Sequence, residues 1–195
     1  MNDQIFETVI TTVAGDGHVH VAPMGVRYPG EFVVLMPFKP STTLDNVLTT
    51  GHAVLNVVTD TRVFAGCVTG RRAWPTLAAE CIAGQRLACA LNHVELELVS
   101  HQDDSQRPVL RLARVHAMTH APFTGLNRAQ AAVIEGAVLV SRLHMLAMDK
   151  IEAEMNYLQI AIDKTAGPQE LEAWGWLQEA VARHQAGQAG QAGAA

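Results

Sequence analysis

Pro37-Phe38-Lys39-Pro40-Ser41-Thr42-Thr43-Leu44-Asp45-Asn46-Val47-Leu48 carries the sharpest change of character in this chain. Prolines at 37 and 40 stop an extended run, and hydroxyls at 41, 42 and 43 stand where a helix needs acceptors for its first free N–H groups. Leu44 and Leu48 recur four apart, and Gly51 supplies a stop. The stretch predicts a short helix over residues 41–48, entered from a strand. Toward the N-terminus, residues 5–13 are rich in β-branched side chains and Ala14-Gly15-Asp16-Gly17 supplies turn residues. Residues 18–27 and 31–36 give two further extended runs, the first broken at Pro23-Met24-Gly25. Toward the C-terminus, Val54-Leu55-Asn56-Val57-Val58 returns to strand character, whereas residues 60–86 have no clear period. Val94, Leu96 and Leu98 alternate with His93, Glu95 and Glu97, as in a strand wet on one face. Leu110 and Leu112 begin another alternation that Arg114 interrupts, which predicts a bulge. About six antiparallel strands and one short helix point to a barrel or a strongly curled sheet.

After Pro122 the period changes. Leu126, Ala129, Val133, Ala137, Val140 and Leu143 mark one stripe, and Ile134, Val138 and Met145 a second, so a helix over 127–148 is apolar around most of its circumference. Such a helix is expected to be buried, against the barrel or a second subunit. Helices over 149–164 and 169–183 follow, separated by Gly167-Pro168, and the Gln-Ala-Gly repeats after residue 184 can bury little. This divides the chain into a barrel domain (1–122), a C-terminal region of three helices (123–184) and a disordered tail (185–195). The 195 residues hold 49% hydrophobic side chains, enough for a core, and 14 Lys+Arg against 19 Asp+Glu give a net charge of −5, which argues against nucleic acid as a partner. No apolar run reaches the roughly 18 to 20 residues that cross a bilayer. Met1-Asn2-Asp3-Gln4 lacks the basic and apolar regions of an export signal, and three cysteines without C-x-x-C spacing read as free thiols, so a cytoplasmic location is expected.

Lys39, Ser41, Thr42 and Thr43 combine a cation and three hydroxyls with the positive end of a helix dipole, the ingredients of a phosphate cradle. The same residues also read as an ordinary N-cap beside a solvated lysine. Asn46 lies one turn into that helix, and Asn56 inside an apolar strand either braces a turn or reads a ligand edge. Pro23-Met24-Gly25 frees backbone groups where a flat ligand could approach, or is an edge-strand kink. His18 with His20, and His116 with His120, have no carboxylate or cysteine cluster that completes a ligand set, so no metal is expected. Cys67 and Cys81 have no flanking base, and no catalytic residue is identified.

Glu7-Thr8-Val9-Ile10-Thr11-Thr12, Ala22-Pro23-Met24-Gly25, Pro37 to Thr43 with Asn46, and Ala53-Val54-Leu55-Asn56-Val57 followed by residues 60–64 together resemble the DUF447 family of FMN-binding split-barrel proteins. Residues 128–143 and Lys164-Thr165-Ala166-Gly167-Pro168 are similar to that family's C-terminal helices, so the likeness covers roughly residues 5–183. The resemblance implies a six-stranded Greek-key barrel, a homodimer, and FMN with its phosphate on Lys39, Ser41, Thr42 and Thr43. It places Pro23, Met24 and Gly25 along the isoalloxazine, Asn46 and Asn56 on ribityl or ring atoms, and Arg62 as a further phosphate contact. The activity implied is a flavin-dependent oxidoreductase acting on a small molecule, with a tetrahydromethanopterin-linked substrate of C1 metabolism conceivable. A flavin- or pterin-binding module without turnover is the other reading. In either case the cofactor carries the redox chemistry and the protein supplies orientation and electrostatics.

Overall fold

The computed structural model describes the backbone of residues 4–192 and side chains as far as Gly187. Strand β1 (Phe6–Val13) turns through Gly17, at φ 88°, into β2 (Val19–Arg27). The turn is closed by Gly17 N donating to Ala14 O and Ala14 N to His18 O, both at 2.9 Å, as the Ala-Gly-Asp-Gly run predicts. After β3 (Phe32–Leu35) comes α1 (Thr42–Thr50), then β4 (His52–Val57), α2 (Arg62–Val68), and a small hairpin of β5 (Thr76–Ala78) and β6 (Gln85–Leu87). The long strands β7 (Asn92–Gln102) and β8 (Val109–Thr119) follow. Six strands close an antiparallel barrel in the order β1-β2-β3-β8-β7-β4.

The closure is uneven. β2 pairs with β1 along its whole length, Phe6↔Val26 to Val13↔Val19, but with β3 only at Val26↔Leu35 and Arg27↔Val34. Pro23 therefore does not interrupt β2, contrary to the break expected from the sequence. It sits in a continuous strand whose stretch before Val26 has one hydrogen-bonded neighbour, so its missing N–H leaves no ladder bond unmade. Gly25 is needed there: a Cβ would stand 2.6 Å from Ile5 Cγ2. The expected bulge is present, since Glu95 pairs with His116 and Leu96 with Arg114, leaving Val115 unmatched.

Ile10, Val26, Val33, Leu35, Leu55, Leu96, Leu110 and Leu112 fill the barrel, and α1 adds Leu44 and Val47 to the same core. Each such aliphatic side chain contributes about 1.5–3 kcal/mol by leaving water. Helix α1 starts where the hydroxyls stand: Ser41 Oγ accepts from Leu44 N at 3.2 Å, and Gly51, at φ 77°, ends the helix by donating to Val47 O.

One expectation fails on β7. His93 and Glu95, assigned to a wet face, are fully buried, and only Glu97 of that set is exposed. The cause is the segment around residues 80–82, whose backbone folds onto Glu95. Its carboxylate accepts from Glu80 N (2.7 Å), Cys81 N (2.8 Å) and Ile82 N (2.8 Å). Burial pushes the Glu95 pKa up, but these three amides, with help from His93, outweigh it and hold the group down at about 2.

The contacts divide the chain into two compact units, one of Arg72–Phe123 with everything up to Thr59, the other of Asp60–Arg71 with everything from Thr124. The second unit contains α2, α3 (Arg128–Ser141), α4 (Met148–Thr165) and α5 (Pro168–Ala192). Asn127 caps α3 by accepting from Ala129 N at 2.7 Å and donates to Thr165 O at 3.0 Å, tying two helix ends together. Gly136 lies against α5, where an added Cβ would meet Trp174 Cζ3 at 2.8 Å and Leu177 Cδ1 at 3.0 Å. α3 stops seven residues before the expected end: Arg142 N bonds Leu139 O and Met145 N bonds Arg142 O, tightened turns that leave Met145 exposed instead of on a buried stripe. Residues 185–192, expected to be disordered, continue the α5 backbone, while 193–195 lie outside the described residues. No helix of the described residues is long and apolar enough to cross a membrane.

Candidate functional site

The β3–α1 junction and the return strand β2 frame a cavity of about 660 Å³ lined by His18, His20, Thr42, Arg72 and Trp74, with Val19, Val21 and Ala73. That volume is in the range of small-molecule and cofactor sites. Thr42 is the first residue of α1, so the unpaired N–H groups and the dipole of that helix lie at the cavity's edge. Arg72 brings a full positive charge, and no carboxylate of the described residues pairs with it. Burial, Arg72 and His18, in that order, lower the pKa of His20, so this imidazole favours its neutral form at neutral pH. Trp74 adds an indole surface. A helix N-terminus, a hydroxyl, a guanidinium and an aromatic ring together suit a phosphorylated aromatic heterocycle.

The residues singled out from the sequence are distributed unequally around this cavity. Thr42 lines it. Ser41 is occupied as the N-cap, and Thr43 is buried one position on. The Lys39 ammonium is turned to Asp103, 2.6 Å away, and its backbone N–H donates to Gln106 O. Pro23, Met24 and Gly25 lie on β2 beyond the lining residues 18–21, with Thr8 Oγ1 donating to Met24 O at 2.9 Å. Asn46 is buried and donates to Thr12 Oγ1 at 3.0 Å.

Asn56 ties strands together, where the sequence allows a turn brace or a ligand contact. Nδ2 faces Val9 O, Thr11 Oγ1 and Val54 O at 3.1–3.2 Å, and Oδ1 accepts from Leu87 N at 2.7 Å, pinning β1 and β6 to β4. Arg62 belongs to the other unit, where Asp60 takes two hydrogen bonds (2.9 and 2.8 Å) and Glu172 a third at 3.1 Å. These carboxylates hold its pKa above the ordinary arginine value. Arg72 and Trp74 were missed in the sequence because they stand in an aperiodic stretch. The signal there was the basic pair Arg71-Arg72 two residues ahead of an indole.

The family models for the N-terminal domain and for the C-terminal part of the protein of unknown function DUF447 match residues 6–121 and 127–179. The chain belongs to the DUF447 family. Its fold is similar to that of the FMN-bound DUF447 protein MM1853 from Methanosarcina mazei, with a TM-score of 0.78 over 92% of this chain and 96% of that one, at 24% identity. The DUF447 barrel also resembles the 2-nitrobenzoate 2-nitroreductase NbaA of Pseudomonas fluorescens (TM-score 0.53, 19% identity, 62% of this chain and 66% of that one). Flavoredoxin from Methanosarcina acetivorans is similar to the same extent (TM-score 0.51, 13% identity, 62% and 74%). The architecture is thus a split barrel extended by a helical region. No functionally curated protein matches the sequence.

Proposed function

We propose that this DUF447 chain binds FMN in the cavity at the start of α1 and acts as a flavin-dependent oxidoreductase on a small molecule. The observation that carries the reading is the guanidinium of Arg72 facing the same cavity as the first turn of α1, with no carboxylate of the described residues to neutralise it. In that site Arg72, Thr42 and the N–H groups of the α1 first turn would hold the phosphate, and Trp74 would flank the ring system. Bound there, FMN would supply hydride or electron transfer. The chain's own part is to fix the phosphate, shield the ring from water along Val19, Val21 and Ala73, and keep the imidazoles of His18 and His20 beside it. The FMN bound to MM1853 supports the same cofactor class.

A homodimer fits the large apolar side chains left exposed on the helical unit, among them Tyr157 (75%), Ile160 (49%) and Leu171 (55%). The substrate stays a small molecule, with the pterin class that the family resemblance implies as the first to be assayed.

The test is titration of the purified chain with FMN, followed by flavin fluorescence, in the wild type and in Arg72→Ala. The expected result is saturable binding that Arg72→Ala weakens by about 2 kcal/mol, the scale of a lost charge-assisted hydrogen bond. Equal affinity in the two proteins would remove the cavity from consideration. Bleaching of the bound flavin by NADH or NADPH, with reoxidation by substrate, supports turnover; a flavin that no donor reduces identifies a binding module instead.

A further inference from the structure

We propose that Glu80, His93, Glu95 and His116 form a binding site for a first-row divalent transition-metal ion, separate from the α1 cavity. His93 and Glu95 lie two apart on β7, His116 is the β8 partner of Glu95, and Glu80 arrives from the segment after β5. One ligand atom from each of the four lies within 4.8 Å of all the others. Two of the spacings are already those of a coordination shell: His93 Nε2 is 3.0 Å from Glu80 Oε2 and 3.3 Å from Glu95 Oε1. Donors about 2.0–2.1 Å from a tetrahedral ion stand roughly 3.3 Å apart, so the widest spacing has to close by at most about 1.5 Å.

Three further features fit an ion better than a purely internal hydrogen-bond network. Two carboxylate oxygens converge on His93 Nε2, which has at most one proton to share between them. His116 Nε2 is closed off from solvent and has no hydrogen-bond partner among the described residues. The other nitrogen of His93, Nδ1, is 2.8 Å from His120 Nε2, with the two rings nearly parallel at 7°. An outer partner of this kind fixes the tautomer and plane of a metal-bound imidazole.

The ligand chemistry narrows the ion. Two imidazoles with carboxylates suit Zn²⁺, Co²⁺ or Fe²⁺, whereas Mg²⁺ and Ca²⁺ prefer all-oxygen shells. Glu95 is held rigid by its three backbone amides, and Glu80, with 36% of its side chain exposed, lies on the solvent side where an ion would enter. The alternative to a metal is an internal hydrogen-bond network in which His93 Nε2 is shared between Glu80 and Glu95, and the experiment separates the two.

The untagged, chelator-treated chain is titrated with Co²⁺ in the absence of FMN while the visible d–d bands are followed. The expected result is one Co²⁺ per chain, displaced by Zn²⁺ and not by excess Mg²⁺. His116→Ala and Glu80→Gln should each weaken uptake by about tenfold or more. Glu80→Gln changes a part-exposed group and keeps the fold, so it decides the matter should His116→Ala not fold. Absence of d–d bands, or uptake equal to wild type in Glu80→Gln, would overturn the proposal and leave the cluster as an internal hydrogen-bond network. Neither outcome bears on flavin binding at Arg72.

Discussion

The cavity at the start of α1 and the cluster on β7 and β8 belong to the same barrel unit and carry opposite electrostatics. The cavity gathers Arg72, two histidines and a helix N-terminus, and nothing negative answers them from the lining residues. The cluster gathers two carboxylates around one buried imidazole. The first is open to solvent and suits an anion; the second is buried at His93 and Glu95, part-exposed at His116 and exposed at Glu80, and suits a cation. The difference teaches that a small barrel can hold clusters of opposite charge apart by building each from different parts: a turn, a loop and a helix terminus for one, opposed strand positions for the other.

The strongest way to break this contrast is Glu95→Ala. Three backbone amides lose a charged acceptor at once, and we expect a loss of about 4 kcal/mol in denaturant unfolding, with early hydrogen exchange at Glu80, Cys81 and Ile82. A loss below about 1 kcal/mol would mean that water replaces the carboxylate and that the cluster is not rigid.

Asn56→Ala comes next, at about 3 kcal/mol, because a fully buried amide joins three strands and no solvent can take its place. Its effect on FMN affinity sharpens the contrast: a brace that touches no ligand should leave affinity in the folded fraction unchanged, whereas a ligand-reading residue would lower both.

Ser41→Ala should remove about 1 kcal/mol of stability through the lost cap, measured as a lower unfolding midpoint, with a smaller change in FMN affinity than Arg72→Ala produces. The reverse order would put the anion seat on the hydroxyl rather than on the guanidinium.

The smallest effect is that of pH. The folded His20 pKa lies below its unfolded value of 6.5, so the neutral form is favoured by folding. Its contribution is complete above pH 6.5 and is lost as pH falls from there toward the folded pKa. Unfolding curves at pH 7.5 and 5.5 should therefore converge more closely in His20→Gln than in the wild type.

Much of the barrel was legible because it is dictated locally. The Ser41 cap, the Gly51 stop, the Ala14–Gly17 turn and the mismatch near Arg114 each depend on residues a few positions apart. The burial of His93 and Glu95 was not legible, since the segment that folds onto Glu95 is 13 to 15 residues upstream of it and has no period of its own. The end of α3 was misread for a related reason: Leu143 and Met145 continue the apolar stripe, but a stripe does not say where the helix loses its neighbour. At the α1 site the helix start was visible in the sequence, whereas the guanidinium that completes it, Arg72, is 30 positions downstream of Thr42 and reaches the cavity only through the fold.

Gly136 imposes a rule of inheritance on the helical unit. With Trp174 Cζ3 2.8 Å from where a methyl would begin, the glycine and the indole form a matched pair, a blank and the key that fits it. Descendants of this sequence can exchange the glycine for alanine only together with a smaller ring at 174 and a shift of Leu177, whose Cδ1 stands 3.0 Å from the same point. A lineage that changes one partner first must pass through an intermediate whose third and fifth helices are pushed apart.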